Sequence, residues 1–346
     1  MKSSWWTSLV LSIVIISTGS VAAFNIYIDP LWMFGFSHEN NDVQTTINER
    51  EQKVNRMVYQ PFSYDALLLG SSRATYINQH DLAGDDVYNF AVSDMSFLEY
   101  KSFLQVAVEE NGRHFDRVYI GVDFFKTSKQ ESKLVGDMVA YAEEIRNPIY
   151  RWKQQVSLDV LDYARTNYRA STRDEDVFVR NYTRDNVATA WKLSEEQVAR
   201  DTEAKVSRFR ETFYGDSYEY NPEYAEVMKE LVELYPDTEF VIFTTPVAEP
   251  LLRAMAEEGR LPDYERWITE LVEVFGGVHN FMTLNEVTRN WKQNYFDGHH
   301  AYEHVGTWIA QRMSDANASA VPQDFGLIVT EENLEQHLQS VENSLN

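Results

Sequence analysis

The chain has 346 residues, 44% of them hydrophobic and 14% aromatic, which is ample material for a packed core and excludes a disordered chain. Acidic residues outnumber basic ones 54 to 31, giving a formal net charge of -23, a field that repels both nucleic acid and anionic lipid headgroups from the body of the protein. There is no cysteine, so disulfide frameworks, thiolate metal sites, iron–sulfur clusters and cysteine nucleophiles are all excluded.

From Ser3 to Ile28 no residue is charged, and the centre reads Leu9-Val10-Leu11-Ser12-Ile13-Val14-Ile15-Ile16. A hydrocarbon core of ~30 Å needs about 20 helical residues, so residues 1–28 are expected to be a membrane anchor. Lys2 precedes the segment and Asp29 follows it, which places the N-terminus in the cytoplasm and the body outside. A cleaved signal peptide is the other reading, because Val21-Ala22-Ala23 resembles a small-residue cleavage site; a single Lys is a weak start for one. Both readings export the body. Next, Ile28-Asp29-Pro30-Leu31-Trp32-Met33-Phe34 is an aromatic stretch suited to the membrane–water interface, and residues 29–60 read as a polar connector.

From residue 61 the pattern alternates between strands and helices. Tyr64–Leu69 is a short apolar run entering the turn Gly70-Ser71-Ser72, Val87–Val92 is a second strand, and Phe97–Val108 has helical spacing. Arg117–Phe125 is a third strand, Glu239–Thr244 a fourth after an amphipathic helix over Pro222–Leu234, and Val278–Phe281 a fifth. Tyr302–Met313 reads as the closing helix. Such alternation predicts an α/β domain over 61–325, with a parallel sheet flanked by helices. A mostly helical insertion spans about 126–208, and 326–346 reads as an acidic solvated tail whose helix is N-capped by Thr330.

In doubly wound sheets, ligands meet the carboxyl ends of the strands. The first strand delivers Gly70-Ser71-Ser72-Arg73, where a serine on a strand-to-helix turn either projects its hydroxyl into a cleft or caps a helix. Near the other end, Asn294-Tyr295-Phe296-Asp297-Gly298-His299-His300 puts Asp297 and His300 three apart on a tight loop. That spacing lets a carboxylate hold one imidazole nitrogen while the other activates a serine. With no cysteine and no second His/carboxylate cluster at ligand spacing, the His pair is not read as a metal site, and no cofactor is implied.

Four blocks carry a resemblance: GSSR after the first strand, YNFAVSDMS after the second, YIGVDFF at the third and YFDGHHAYEHVGTWIAQRM near the end. In this order they resemble the blocks of SGNH (GDSL-like) hydrolases. The likeness is greatest to the membrane-anchored bacterial branch associated with O-acylation of envelope polysaccharides, whose start the IDPLWMFG stretch also resembles. The resemblance covers most of the chain apart from the helical insertion. It implies a three-layer α/β fold, with Ser72 as nucleophile, His300 as general base and Asp297 as its orienting carboxylate. The implied activity is an O-acetyltransferase or esterase acting through an acyl-enzyme on an extracytoplasmic glycan. The implied setting is the bacterial inner membrane, single-pass, with the domain in the periplasm or outside. A membrane-embedded acyltransferase is the implied partner class; the alternative is a catalytically weak component that binds partners or glycan during polysaccharide assembly.

Two positions depart from that pattern. Where the family uses a glycine in its second block, this chain has Ser93-Asp94, whose backbone N–H groups can still donate. Where the family uses an asparagine in its third, it has Asp123. An ionised Asp cannot donate and repels an oxyanion, and one lost donor costs ~3 kcal/mol of transition-state stabilisation. Protonation of Asp123, donors from backbone alone, or low activity are the three ways out.

Arg73 is read as a substrate clamp or, by preference, as the partner of a carboxylate. Thr245-Pro246-Val247 is read as a strand-ending turn, and His299 and His304 as surface residues. Tyr150, Trp152, Tyr163 and Tyr168 are read as core of the insertion rather than a sugar platform. Gly215-Asp216-Ser217 spells the family tripeptide more literally than residues 70–72, but no strand precedes it.

Overall fold

The computed structural model describes residues 2–173, 180–314, 316 and 318–345. Two compact units emerge, one made of Met1–Phe62 with Val139–Asn186 and the other of Ser63–Met138 with Val187–Asn346.

The larger unit is an α/β domain around a six-stranded sheet: β1 (Ala66–Gly70), β2 (Val87–Asn89), β3 (Arg117–Val122), β4 (Glu239–Thr244), β5 (Gly277–Asn280) and β6 (Leu327–Thr330). Their spatial order is β2-β1-β3-β4-β5-β6, with the first five parallel and β6 antiparallel to β5. Every residue of β1 is buried, as an unbroken apolar run in a doubly covered parallel sheet should be. The helix Glu303–Met313 buries Val305, Ile309 and Ala310 against Ala66, Leu68, Tyr119 and Phe243 of the sheet. The helix Leu261–Phe275 packs on β4 and β5 and buries Trp267, whose indole donates to Tyr224 on the helix Tyr224–Leu234 at 2.9 Å. The expected fold class, a mostly parallel sheet flanked by helices, is what the chain forms.

Chain direction across the sheet reverses at β1: the path goes outward to β2, then back past β1 to β3 and onward. The carboxyl ends of β1 and β3 thus border the crevice where such sheets take ligands. Gly70 ends β1 with φ 151°, and a Cβ there would lie 2.7 Å from Ala74 Cβ and 3.0 Å from the Gly121 carbonyl. Only glycine lets the chain turn this sharply against β3, and the turn presents Ser72.

Three expectations need correction. Residues 326–346 are not a solvated tail: β6 extends the sheet, and the helix Leu334–Leu345 buries Val341 and Leu345. Thr330 ends that strand and does not cap the helix. Residues 29–60 are not a mere connector, since they hold the helix Glu49–Tyr59, N-capped by Asn48, with Val54 and Met57 buried. Leu31, Trp32 and Met33 are buried inside the protein, so these apolar side chains form core. The Asp29 carboxylate organises that stretch, accepting from the N–H groups of Met33, Phe34 and Gly35 at 2.7 to 3.1 Å and pairing with Arg184 at 2.6 Å.

The smaller unit also contains the apolar helix Lys2–Ile28, the helices Pro148–Gln155 and Leu158–Arg173, and a short antiparallel pair, Gln44–Thr45 with Arg180–Tyr182. The part of the apolar helix from Ser4 to Ile28 is long and apolar enough to cross a membrane; a signal sequence has the same character. Within the region expected to be a helical insertion, the helix Glu195–Arg208 belongs to the larger unit.

Candidate active site

Ser72 follows β1 on the turn that Gly70 permits and is half-buried. Its Oγ lies 2.9 Å from His300 Nε2, and His300 Nδ1 lies 2.9 Å from Asp297 Oδ2. The other carboxylate oxygen of Asp297 accepts from the backbone N–H groups of His299 at 3.0 Å and His300 at 2.7 Å. Asp297 therefore holds the loop and the imidazole together. With Nδ1–H directed at the carboxylate, Nε2 is the nitrogen left able to accept from the Ser72 hydroxyl.

Gly298 makes this loop possible. Its φ is 71°, and a Cβ there would meet Thr202 Cγ2 at 2.6 Å, so the turn packs directly on the helix Glu195–Arg208. The Gly298 carbonyl accepts from Ala248 N–H at 2.9 Å, which ties the loop to the end of β4. From the same helix, Lys205 Nζ reaches Asp297 Oδ2 at 3.0 Å. Burial acts to raise the Asp297 pKa, but His300, His299 and Lys205 outweigh it and hold the carboxyl well below the usual range. The relay's acid is thus an anion at any physiological pH.

Asp123, at the end of β3, does not face the reaction as a bare carboxylate. Arg73 Nη1 lies 3.2 Å from its Oδ1, with both side chains almost fully buried, and the Thr245 hydroxyl also donates to that oxygen. Arg73 further donates to Thr245 Oγ1 at 3.0 Å, contacts His299 Nδ1 at 2.6 Å through Nη2, and lies over the Phe125 ring at 5.0 Å. Its Nε is buried without a partner among the described residues. The expected carboxylate partner of Arg73 is therefore Asp123, and Thr245 is more than a strand-ending turn.

His299 is not a surface residue. It is buried, edge-on to His300 at 4.4 Å between ring centroids, and packed against Phe125 and Phe209. Burial, then the Arg73 and His300 charges, push its imidazole well below the ordinary value, so Nδ1 stays an acceptor for Arg73. His304 is exposed, as expected of a surface residue, and bonds Asn294 Oδ1 at 3.0 Å.

After β2, Asp94 is exposed with φ 63°, and its carboxylate pairs with Lys126; Ser93 beside it is half-buried. Neither the Ser72 N–H nor the Asp94 N–H donates to another described residue. Ser217 of the literal tripeptide is exposed, after the turn Phe209–Tyr214, and has no place in the relay. In the smaller unit, Tyr150 is buried and bonds Glu51, Tyr163 is half-buried, and Tyr168 is partly exposed against Phe24, but Trp152 is exposed rather than core. No group of three or more His, Asp or Glu side chains among the described residues is arranged to hold a metal ion.

Lys205 and Thr202 are the contributors that sequence reading missed. They come from the segment taken as an insertion, and no local spacing links residue 205 to residue 297. Removing the cation makes the imidazolium easier to form. In turnover of an acyl ester, Lys205→Met should therefore move the acid limb of kcat/KM to higher pH. A pH–rate profile checks this; an unmoved limb means that Lys205 only packs.

No protein-family model matches the chain, and no curated protein does. Among solved structures, the chain is similar to one from Streptococcus pneumoniae described as a platelet activating factor. The identity is 10%, the TM-score 0.37, and the match covers 78% of this chain and 90% of the other.

Proposed function

We propose that this chain is a membrane-anchored, SGNH-type serine enzyme that makes or breaks acyl esters on an exported glycan. The observation that carries the reading is the Ser72–His300–Asp297 relay, closed at 2.9 Å and 2.9 Å, at the switch point of the sheet. Ser72 Oγ attacks the acyl carbonyl carbon as its proton passes to His300 Nε2, and Asp297 stabilises the imidazolium. His300 returns the proton to the departing alcohol oxygen as the ester C–O bond breaks, leaving an acyl-Ser72. Water or a sugar hydroxyl, deprotonated by His300, then attacks this ester and frees Ser72.

Oxyanion stabilisation falls to uncommitted backbone donors, Ser72 N–H and Asp94 N–H, rather than to the residue at 123. Arg73 neutralises Asp123, which removes the repulsion an unpaired carboxylate would exert on the developing charge. The apolar N-terminal helix would hold the domain beside a membrane-embedded acyl donor, which favours transfer over hydrolysis.

The test offers purified protein an aryl acetate with and without an acceptor oligosaccharide. Burst release of the phenol, with acetate moving to the sugar, supports the reading. Well-folded protein that neither cleaves the ester nor acylates the sugar sinks it in favour of a binding role in polysaccharide assembly.

A further inference from the structure

The smaller unit carries an apolar surface where the N-terminal helix leaves its apolar stretch. Counted from Ser4, about 20 residues rising ~1.5 Å each cover a ~30 Å hydrocarbon core, which puts the far boundary near Ala23. Asn25 lies half a turn beyond and is buried; its amide donates to the carbonyls of Gln155 at 2.9 Å and Ser157 at 3.1 Å. Phe24 meets the Tyr168 ring edge-on at 6.0 Å. The end of the helix Pro148–Gln155 and the start of the helix Leu158–Arg173 are thereby fixed at the level of that boundary.

Their outward side is apolar. Ile149 is 71% exposed, Trp152 61%, Val156 47% and Leu158 72%. The first three follow i, i+3, i+7 spacing and share one face, while Tyr150 and Gln155 are buried on the other. In a chain of net charge -23, residues 148–158 hold Arg151 and Lys153 and no acidic residue, so the usual repulsion from headgroups is relieved locally. Trp152 is the side chain favoured at a membrane–water interface, and Lys153 is exposed beside it.

We propose that Ile149, Trp152, Val156 and Leu158 dip into the lipid surface beside the N-terminal helix and seat the smaller unit on the bilayer. The proposal rests on the helix Lys2–Ile28 being a retained anchor. Contact with lipid removes four large apolar side chains from water and gives the anchored chain a second, oriented attachment.

The cysteine-free sequence makes the test clean, because one introduced cysteine takes one fluorophore. Full-length protein carrying Trp152→Cys, Leu158→Cys, Val14→Cys or Ser217→Cys is reconstituted into phosphatidylcholine vesicles. Each label is exposed to aqueous iodide and to lipids bearing a nitroxide near the headgroup or near the bilayer centre. The proposal expects labels at 152 and 158 to be quenched by the shallow nitroxide and to be several-fold less sensitive to iodide than the label at 217. The label at 14 should respond to the deep nitroxide. Labels at 152 and 158 as open to iodide as the one at 217, with 14 still deep, overturn the patch but keep the anchor. Labels shielded from both quenchers, as between two copies of the chain, overturn it too. A label at 14 outside the bilayer overturns the anchor and the patch with it.

Discussion

Ser72→Ala and His300→Ala should each abolish acyl-ester turnover, with kcat falling by about 10⁴-fold or more while the fold is kept. The size follows from the relay. A serine hydroxyl is unreactive at neutral pH until an imidazole takes its proton, and here one nitrogen, His300 Nε2, lies within 2.9 Å of Oγ. Because the two side chains act as a unit, the double variant should be no slower than the worse single one. Asp297→Asn should cost somewhat less, since the amide keeps an acceptor for the loop N–H groups but loses the charge that stabilises the imidazolium. Single-turnover assays on variants with native circular dichroism check the order; additive losses would contradict a shared mechanism.

The second large effect is on stability. Arg73 and Asp123 are 4% and 2% exposed at their side chains, and breaking a buried pair strands the remaining charge at a cost of about 3–5 kcal/mol. Arg73→Met leaves the Asp123 carboxylate with the Thr245 hydroxyl alone and also frees His299 Nδ1. Asp123→Asn strands the guanidinium instead. Each single variant should therefore lower the urea midpoint strongly, and the double variant should lose less than the sum. Strict additivity, or a neutral Asp123→Asn, would contradict the pairing and return Asp123 to the reaction. The experiment also separates two roles, since Asp123→Asn that folds and gains rate would mean that an amide there still helps the oxyanion.

Legibility followed the range of the interactions. Ser72 was readable because an apolar strand running into Gly-Ser-Ser is a local signal, and Asp297 with His300 because three-residue spacing on a loop is one too. β1, β3 and β4 were recognisable from short apolar runs: β4 keeps the expected ends, β1 starts two residues later and ends one later, and β3 ends three residues earlier. β6 was missed because Leu327 and Ile328 are exposed on an edge strand and only Val329 is buried, so four residues carry no alternation to detect. The neutralisation of Asp123 was out of reach, since Arg73 lies 50 positions earlier and Thr245 122 positions later. His299 looked like decoration because its burial is made by Phe125 and Phe209, neither of them near it in sequence. Trp152 was assigned to the core on helical spacing alone, and spacing does not say which face of a helix is covered.

An activated Ser72 should react covalently with an electrophile that mimics an acyl ester. The most direct measurement is covalent labelling of the folded protein with a fluorophosphonate, followed by peptide mass analysis. One adduct is expected, on Ser72, that forms rapidly at neutral pH, slows as the medium is acidified, and is absent from Ser72→Ala and His300→Ala. No adduct on well-folded protein, or an adduct on another serine such as Ser217, would contradict it.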